Sequence, residues 1–347
     1  MSETPRWKHR PSDSTWGDFG ADDQLGRLNL LTPQKVLQGL AEVKHGLAFC
    51  LSLPLDYPGD NKLNPRRYAP ELRPTMRGDN PIMNYPIAQN DPRFTDVVSD
   101  DAVLLHLQYS TQWDSLAHVG QMFDADGDGK PEMVYYNGYR AGEDVIGPVD
   151  YATGKKVEAP VGARRLGIEN MAAKAVQGRA VMIDLEAHFG RDRKLVGFAE
   201  LMQVLETDDV TVEPGDMVCL RTGFAQVVLD MKRKPDEKVL HNSCAVLDGR
   251  DARLLDWITR SGLSVLVADN YAVEGLPASP CTEDRCAALP LHEHCLFKLG
   301  VHLGELWHLS ELADWLRERR RSRFLLTAPP LRLPGAVGSP VTPVATV

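Results

Sequence analysis

The chain has 347 residues, 43 % of them hydrophobic and 25 % charged, with a formal net charge of −9. That balance excludes a disordered chain and leaves enough apolar surface for a sizeable core, in one large domain or two ordinary ones. The excess of 48 acidic over 39 basic residues argues against nucleic acid and against anionic membrane surfaces as partners, since both need a basic footprint.

No apolar run approaches the roughly 20 residues that cross a bilayer. The N-terminal residues 1–8 are polar and lack the apolar core of a signal peptide, so a cytoplasmic protein is expected. Six cysteines are few and unpatterned, which suits a reducing compartment. Cys281 and Cys286 form a lone C-x4-C, read here as neither a zinc site nor a disulfide.

Residues 1–27 carry Trp7 and Trp16 among polar neighbours and read as an ordered arm. Thr32-Pro33 opens a helix, because threonine caps and proline suits the first turn. Val36, Leu37, Leu40 and Val43 then share one face. Residues 48–53 read as a strand. Residues 54–100 are rich in Pro, Asn, Asp and Arg and show no period. They are expected to cover the site or to lie at a subunit contact.

A strand is expected over 102–113 and a helix over 168–178, then buried strands over 180–185, 217–222 and 263–269. Helices are expected over 252–261 and 311–319, the second capped by Ser310. Strands and helices alternate, which argues for an α/β fold in one domain. No G-x-G-x-x-G follows a strand and no phosphate-binding P-loop is present. Ser243, Ser279 and Ser339 lack a G-x-S-x-G frame.

The informative stretch runs from His106 to His118. In an extended chain alternate side chains share a face. His106, Gln108, Ser110, Gln112, Asp114 and His118 fall on one parity, and mostly apolar residues fall on the other. A half-solvated strand has the same parity, so parity alone defines no site. Asp114 and His118 meet only if the chain turns after Asp114.

Gln108 to His118 reads Q-Y-S-T-Q-W-D-S-L-A-H. It resembles H-x-G-T-H-x-D-x-P-x-H, the signature of the cyclase / metal-dependent hydrolase family that includes kynurenine formamidases and isatin hydrolases. Thr111, Asp114 and His118 match; both leading histidines are glutamine, as in a longer cyclase subgroup. Further blocks are similar: Trp16-Gly17 with 23–31, Tyr136 to Tyr139, Gly215-Asp216 with 221–223, 291–306 and 329–345. The resemblance implies a swivelling β/β/α, cyclase-like single domain with an extended N-terminal arm. Residues 1–100 would be arm and covering segment, and 101–347 the catalytic core.

The same resemblance implies the chemistry. With Gln108 and Gln112 in place of imidazoles, the first of the family's two ion sites should be weak or absent, because an amide offers only a neutral carbonyl oxygen. The second set remains as Asp114, His292 and Glu305, with Gln112 as an additional oxygen. His294 competes with His292 for the imidazole position. The implied enzyme is a single-metal (Zn or Mn) hydrolase of a small amide, cyclic imide or lactone, acting on a C–N bond. The cation would lower the pKa of a water toward about 7, and His118 would relay a proton, so Asp114, His118 and Glu305 are the catalytic candidates. Alternatives are a metal-independent cyclase or dehydratase and an inactive ligand-binding member. Gln108, Trp113, Tyr136 and Asp269 are the substrate-binding candidates. The resemblance also implies a homodimer or homotetramer.

Asp124, Asp126 and Asp128 begin a calcium-loop pattern, but Tyr135 stands where the glutamate is needed. An acidic surface turn is preferred there over a calcium site.

Overall fold

The computed structural model of the protein describes residues 6–347. Nine strands form its central sheet. In chain order these are β1 Ala48–Cys50, β2 Gln112–Asp114, β3 Gln177–Asp184, β4 Met217–Arg221, β5 Val265–Ala268, β6 His302–Glu305, β7 Arg323–Thr327, β8 Gly338–Pro340 and β9 Val344–Thr346. Their spatial order is β1-β9-β7-β3-β4-β5-β6-β2-β8. The four middle strands, β3 to β6, run parallel. Antiparallel strands extend both edges.

Strand alternation sorts the core into two layers. Ile183, Val218, Leu220, Leu266, Ala268 and Leu303 face one side, with Leu201, Val204, Leu254, Ile258 and Leu296 packed over them. Ala180, Met182, Met217, Cys219, Val265 and Val267 face the other, under Leu28, Leu312 and Leu316. Burial on both faces explains why these strands read as continuous apolar runs. The covering helices are Phe198–Thr207 and Ala252–Ser261 on the first side and Ser310–Glu318 on the second. Asp251 caps the helix Ala252–Ser261 by accepting the backbone N–H of Arg253 and Leu254.

Several expectations hold. The helix Pro33–Ala41 starts at Thr32, whose side chain accepts the Lys35 N–H. The expected strands at 180–185, 217–222 and 263–269 are β3, β4 and β5. Others need correction. The strand expected over 102–113 is two elements: Asp101–Leu104 pairs with Glu71–Arg77 in a separate three-stranded sheet, and only Gln112–Asp114 joins the core. Ser310 is the first helical residue and not a cap; Leu309 holds that position, with no side-chain bond. Cys281 and Cys286 are disulfide-bonded, because the loop between them brings their Cα atoms to 6.3 Å, within bridging range.

Among the described residues no helix is long and apolar enough to cross a membrane.

Candidate metal centre

The centre is assembled by strand register. On the antiparallel pair β2/β6, Gln112 lies opposite Glu305 and Asp114 opposite Leu303. The two-residue period then points Gln112, Asp114 and Glu305 to one face, while Trp113 points to the other. Gly304 permits that close pairing, since a Cβ there would meet Trp307 Nε1 and Val267 Cγ2 at 2.9 Å. The third group, His292, comes from a helical turn, Pro290–His292. Asp114, His292 and Glu305 are all buried, and one potential ligand atom from each lies within 4.8 Å of the others.

Gln112 Nε2 sits between the carboxylates, donating to Asp114 Oδ1 and Glu305 Oε2 at 3.2 Å each. Asp114 Oδ2 and Gln112 Oε1 are buried with no hydrogen-bond partner among the described residues. Buried orphan acceptors are rare in folded proteins, and here two of them adjoin a second carboxylate and an imidazole. A set of one imidazole and two carboxylates suits a divalent cation with an open position.

Glu274 orients the imidazole. Its Oε1 accepts from His292 Nδ1 at 2.7 Å, and the same carboxylate accepts the backbone N–H groups of Leu291 and His292. Nε2 is thereby turned toward Glu305 Oε1, 3.4 Å away. Three non-glycine residues beside the centre, Ala272, Val273 and Leu306, adopt φ of +69°, +58° and +57°. Such backbone is costly and persists only where its surroundings over-determine it. His294 is turned away, its Nε2 on the Thr259 hydroxyl at 2.9 Å. Of the two histidines, only His292 faces the carboxylates.

The electrostatics are those of a concentrated buried charge. Burial alone would lower the His292 imidazole, but Glu274 and Glu305 lift it to about 10. Burial would raise Glu305, yet its hydrogen bond with His292 holds it below the usual carboxylate range. Burial pushes the Asp114 carboxyl up against the pull of His118. A proton on His292 and a cation among the three groups are competing ways to neutralise them.

His292 and Glu305 border a cavity of about 590 Å³ that also meets His118, Gln108, Arg67 and Tyr271. The chain turns after Asp114, with His118 N–H bonded to Ser115 O at 3.0 Å. That turn leaves His118 Nε2 3.8 Å from Asp114 Oδ1. Gln108 borders the cavity and lies against Gly338. Tyr271 holds His241 Nδ1 at 2.8 Å, and both face the cavity.

Three substrate-binding candidates lie elsewhere. Trp113 is fully buried on the opposite sheet face, edge-on to Trp307, with its indole N–H on Ala328 O. Tyr136 is buried near Thr15 and Asp23 and packs under Gly300. Asp269 accepts from Thr222 N, Thr222 Oγ1 and Gly223 N, which makes it a brace for the turn after β4. The acidic turn brings one carboxylate oxygen each of Asp124, Asp126 and Asp128 within 4.8 Å of one another; Asp124 and Asp126 also accept its backbone N–H groups, and short strands, not helices, flank it. Glu274 and Arg67 carry no motif signal in the sequence, whereas Tyr271, which borders the cavity, follows Asp269 and Asn270 at the end of a buried strand, a place where α/β folds put substrate contacts.

A family model described as "Putative cyclase" matches residues 51–275, more than half of the chain. The chain belongs to this cyclase family. A solved structure described as a novel cyclase is 29 % identical over 96 % of this chain and 97 % of its own, with a TM-score of 0.72. Isatin hydrolase A from Labrenzia aggregata, bound to benzyl benzoate, covers 90 % of this chain and 97 % of its own at 13 % identity and a TM-score of 0.52. The enzyme from Ralstonia solanacearum gives the same coverage and TM-score at 15 % identity. These likenesses place the cyclase-family chain in a curled α/β fold shared with isatin hydrolases. No curated protein matches it. The family match ends before His292 and Glu305, so the convergence of these two on Asp114 is a property of the structure itself.

Proposed function

We propose that this cyclase-family protein is a metal-dependent hydrolase of a small amide, cyclic imide or lactone. One observation carries the proposal: Asp114, His292 and Glu305, far apart in sequence, converge beside a cavity with a buried acceptor left over. The structural likeness to isatin hydrolases is consistent with C–N cleavage.

Asp114, His292 and Glu305 would hold the ion, and Glu274 keeps the His292 Nε2 lone pair available by binding Nδ1–H. When bound, a divalent ion supplies carbonyl polarisation and a water that ionises near neutral pH. Gln112 keeps the two carboxylates in register. His118 lies at 3.8 Å from Asp114, beyond hydrogen-bond range. Among the described residues neither of its ring nitrogens has a hydrogen-bond partner, so it is placed to take a proton from water and pass it to the leaving nitrogen or oxygen.

The test is metal analysis joined to a panel of aryl formamides, isatin-like rings and lactones. Close to one transition metal per chain is expected, lost in Asp114→Ala together with hydrolysis. Full activity in stripped protein would overturn the proposal. It would favour metal-free acid–base chemistry by Asp114, His118 and Glu305, with the Gln112 amide donating to both carboxylates. Metal binding with no turnover across the panel would point to an inactive ligand-binding member.

The proposal includes self-association as a homodimer or homotetramer. Leu72, Met76 and Val103 are exposed together on the three-stranded sheet, a surface that apolar contact would cover. Light scattering tests it.

A further inference from the structure

The walls of the cavity pose a second question, which is what holds the part of the substrate that does not react. Leu63, Leu276 and Leu289 supply apolar wall, which suits a hydrocarbon or ring. The polar groups facing that wall are unbalanced in charge. A bound divalent ion would offset Asp114 and Glu305, and His292 would be neutral as its ligand. Asp60 lies 3.7 Å from Lys62 Nζ. Two guanidinium groups remain, on Arg66 and Arg67.

Arg67 is the more informative of the two. It is half-buried, and among the described residues its only hydrogen bond runs from Nη1 to the backbone oxygen of Gln108 at 2.6 Å. Among the described residues no carboxylate pairs with it. It lines the same cavity as His118, His292 and Glu305, so the guanidinium and the reacting end share one space. A partly desolvated guanidinium with free N–H donors is costly unless something answers it. Its planar fork matches a carboxylate with two parallel bonds.

From this geometry we infer that the substrate is an organic carboxylate with an apolar body, and that Arg67 holds the carboxylate while the scissile bond lies at Asp114, His292 and Glu305. The inference rests on the cavity being the substrate site, as proposed above. It makes Arg67 a specificity-determining residue.

The probes are benzoate and benzamide, which share shape and differ in charge. They are titrated by ligand-observed NMR into the metal-loaded full chain, its Arg67→Met and Arg67→Lys variants, with metal content and thermal unfolding recorded for each. Wild type should bind benzoate at least about tenfold more tightly than benzamide. Arg67→Met should abolish that preference while leaving benzamide unchanged, and Arg67→Lys should keep part of it. If Arg67→Met unfolds, the partial loss in Arg67→Lys decides. Equal binding of the two probes by wild type, or a benzoate preference that survives both variants, would overturn the inference; the second result would assign the carboxylate to the cation. A preference that depends on Arg67 in a protein that binds no metal would keep this inference and sink the hydrolase proposal. Metal-loaded protein with no preference would do the reverse.

Discussion

His292 Nδ1 lies 2.7 Å from Glu274 Oε1, while its other nitrogen faces Glu305. Glu274 also receives the Leu291 and His292 N–H groups at 3.0 Å each. These are donors of a first helical turn, which have no partner within the helix. One buried carboxylate thus fixes both the backbone and the tautomer of the imidazole. Glu274→Gln should therefore weaken divalent-metal affinity by about 10- to 100-fold through loss of that orienting charge. Glu274→Ala should in addition lower stability by about 3 kcal/mol, because the donors it serves stay buried and unpaired. Competition against a chelator reads the first effect and urea unfolding the second.

Gly249 makes room for that carboxylate. A Cβ at this position would collide with Glu274 Oε2 and would meet Pro290 Cγ at 2.9 Å and the Leu291 nitrogen at 3.0 Å. Gly249→Ala should act as a partial copy of the Glu274 substitutions, although position 249 touches no ligand. The expected outcome is metal affinity lowered by about tenfold, within the range for loss of an outer-shell partner. Unchanged affinity would show that the Glu274 loop gives way without disturbing His292.

What could be read in sequence follows from the range of the forces involved. Gln112 and Asp114 share a face because strand alternation is local, and parity captures it without a structure. The turn that returns His118 to Asp114 is also local. The β3, β4 and β5 strands were legible because burial on both faces writes long apolar runs. By contrast, Leu72, Pro74 and Met76 alternate with polar residues in Glu71–Arg77, but the central proline and the Pro-, Asn- and Asp-rich surroundings mask that strand, and the apolar residues 102–105 run on into 106–113, so the end of Asp101–Leu104 is not marked in the sequence. Trp113 and Tyr136 looked like cavity walls because an aromatic ring does not declare which neighbours it will meet. Glu274 sits in a loop with no motif, and its role exists only once the Pro290–His292 turn is brought against it.

Asp269 tests the difference between bracing and binding. Its Oδ1 accepts from Thr222 N and Oγ1 at 2.7 and 2.6 Å, and its Oδ2 accepts from Gly223 N at 2.8 Å. All three donors belong to the turn that leads into the helix Phe224–Asp230. Asp269→Ala should cost about 3 kcal/mol or more, since each unpaired buried donor costs about 1–3 kcal/mol. Protein that remains folded should keep its metal affinity and KM. A selective rise in KM with unchanged stability would restore Asp269 to the substrate-binding set.

Two buried histidines outside the centre should govern stability in mild acid. Burial pushes His302 down to about 3 and, with Lys298 adding, His294 down to about 4. Among the described residues His302 Nδ1 has no hydrogen-bond partner, so a proton taken up there in the fold gains no bond. The unfolded chain binds that proton near the ordinary value of about 6.5. Between the folded and unfolded values the unfolded state therefore holds more protons, and stability rises with pH. The contribution is complete above about pH 6.5 and is lost progressively as pH falls toward the folded values. At about pH 5 the His302 share of that loss is about 2 kcal/mol. His302→Gln removes the proton site, so the gap in unfolding free energy between about pH 7 and about pH 5 should narrow by that amount. Urea unfolding of both proteins at the two pH values measures it. An equal gap in the variant would mean that His302 is protonated inside the fold and that the acid sensitivity arises elsewhere.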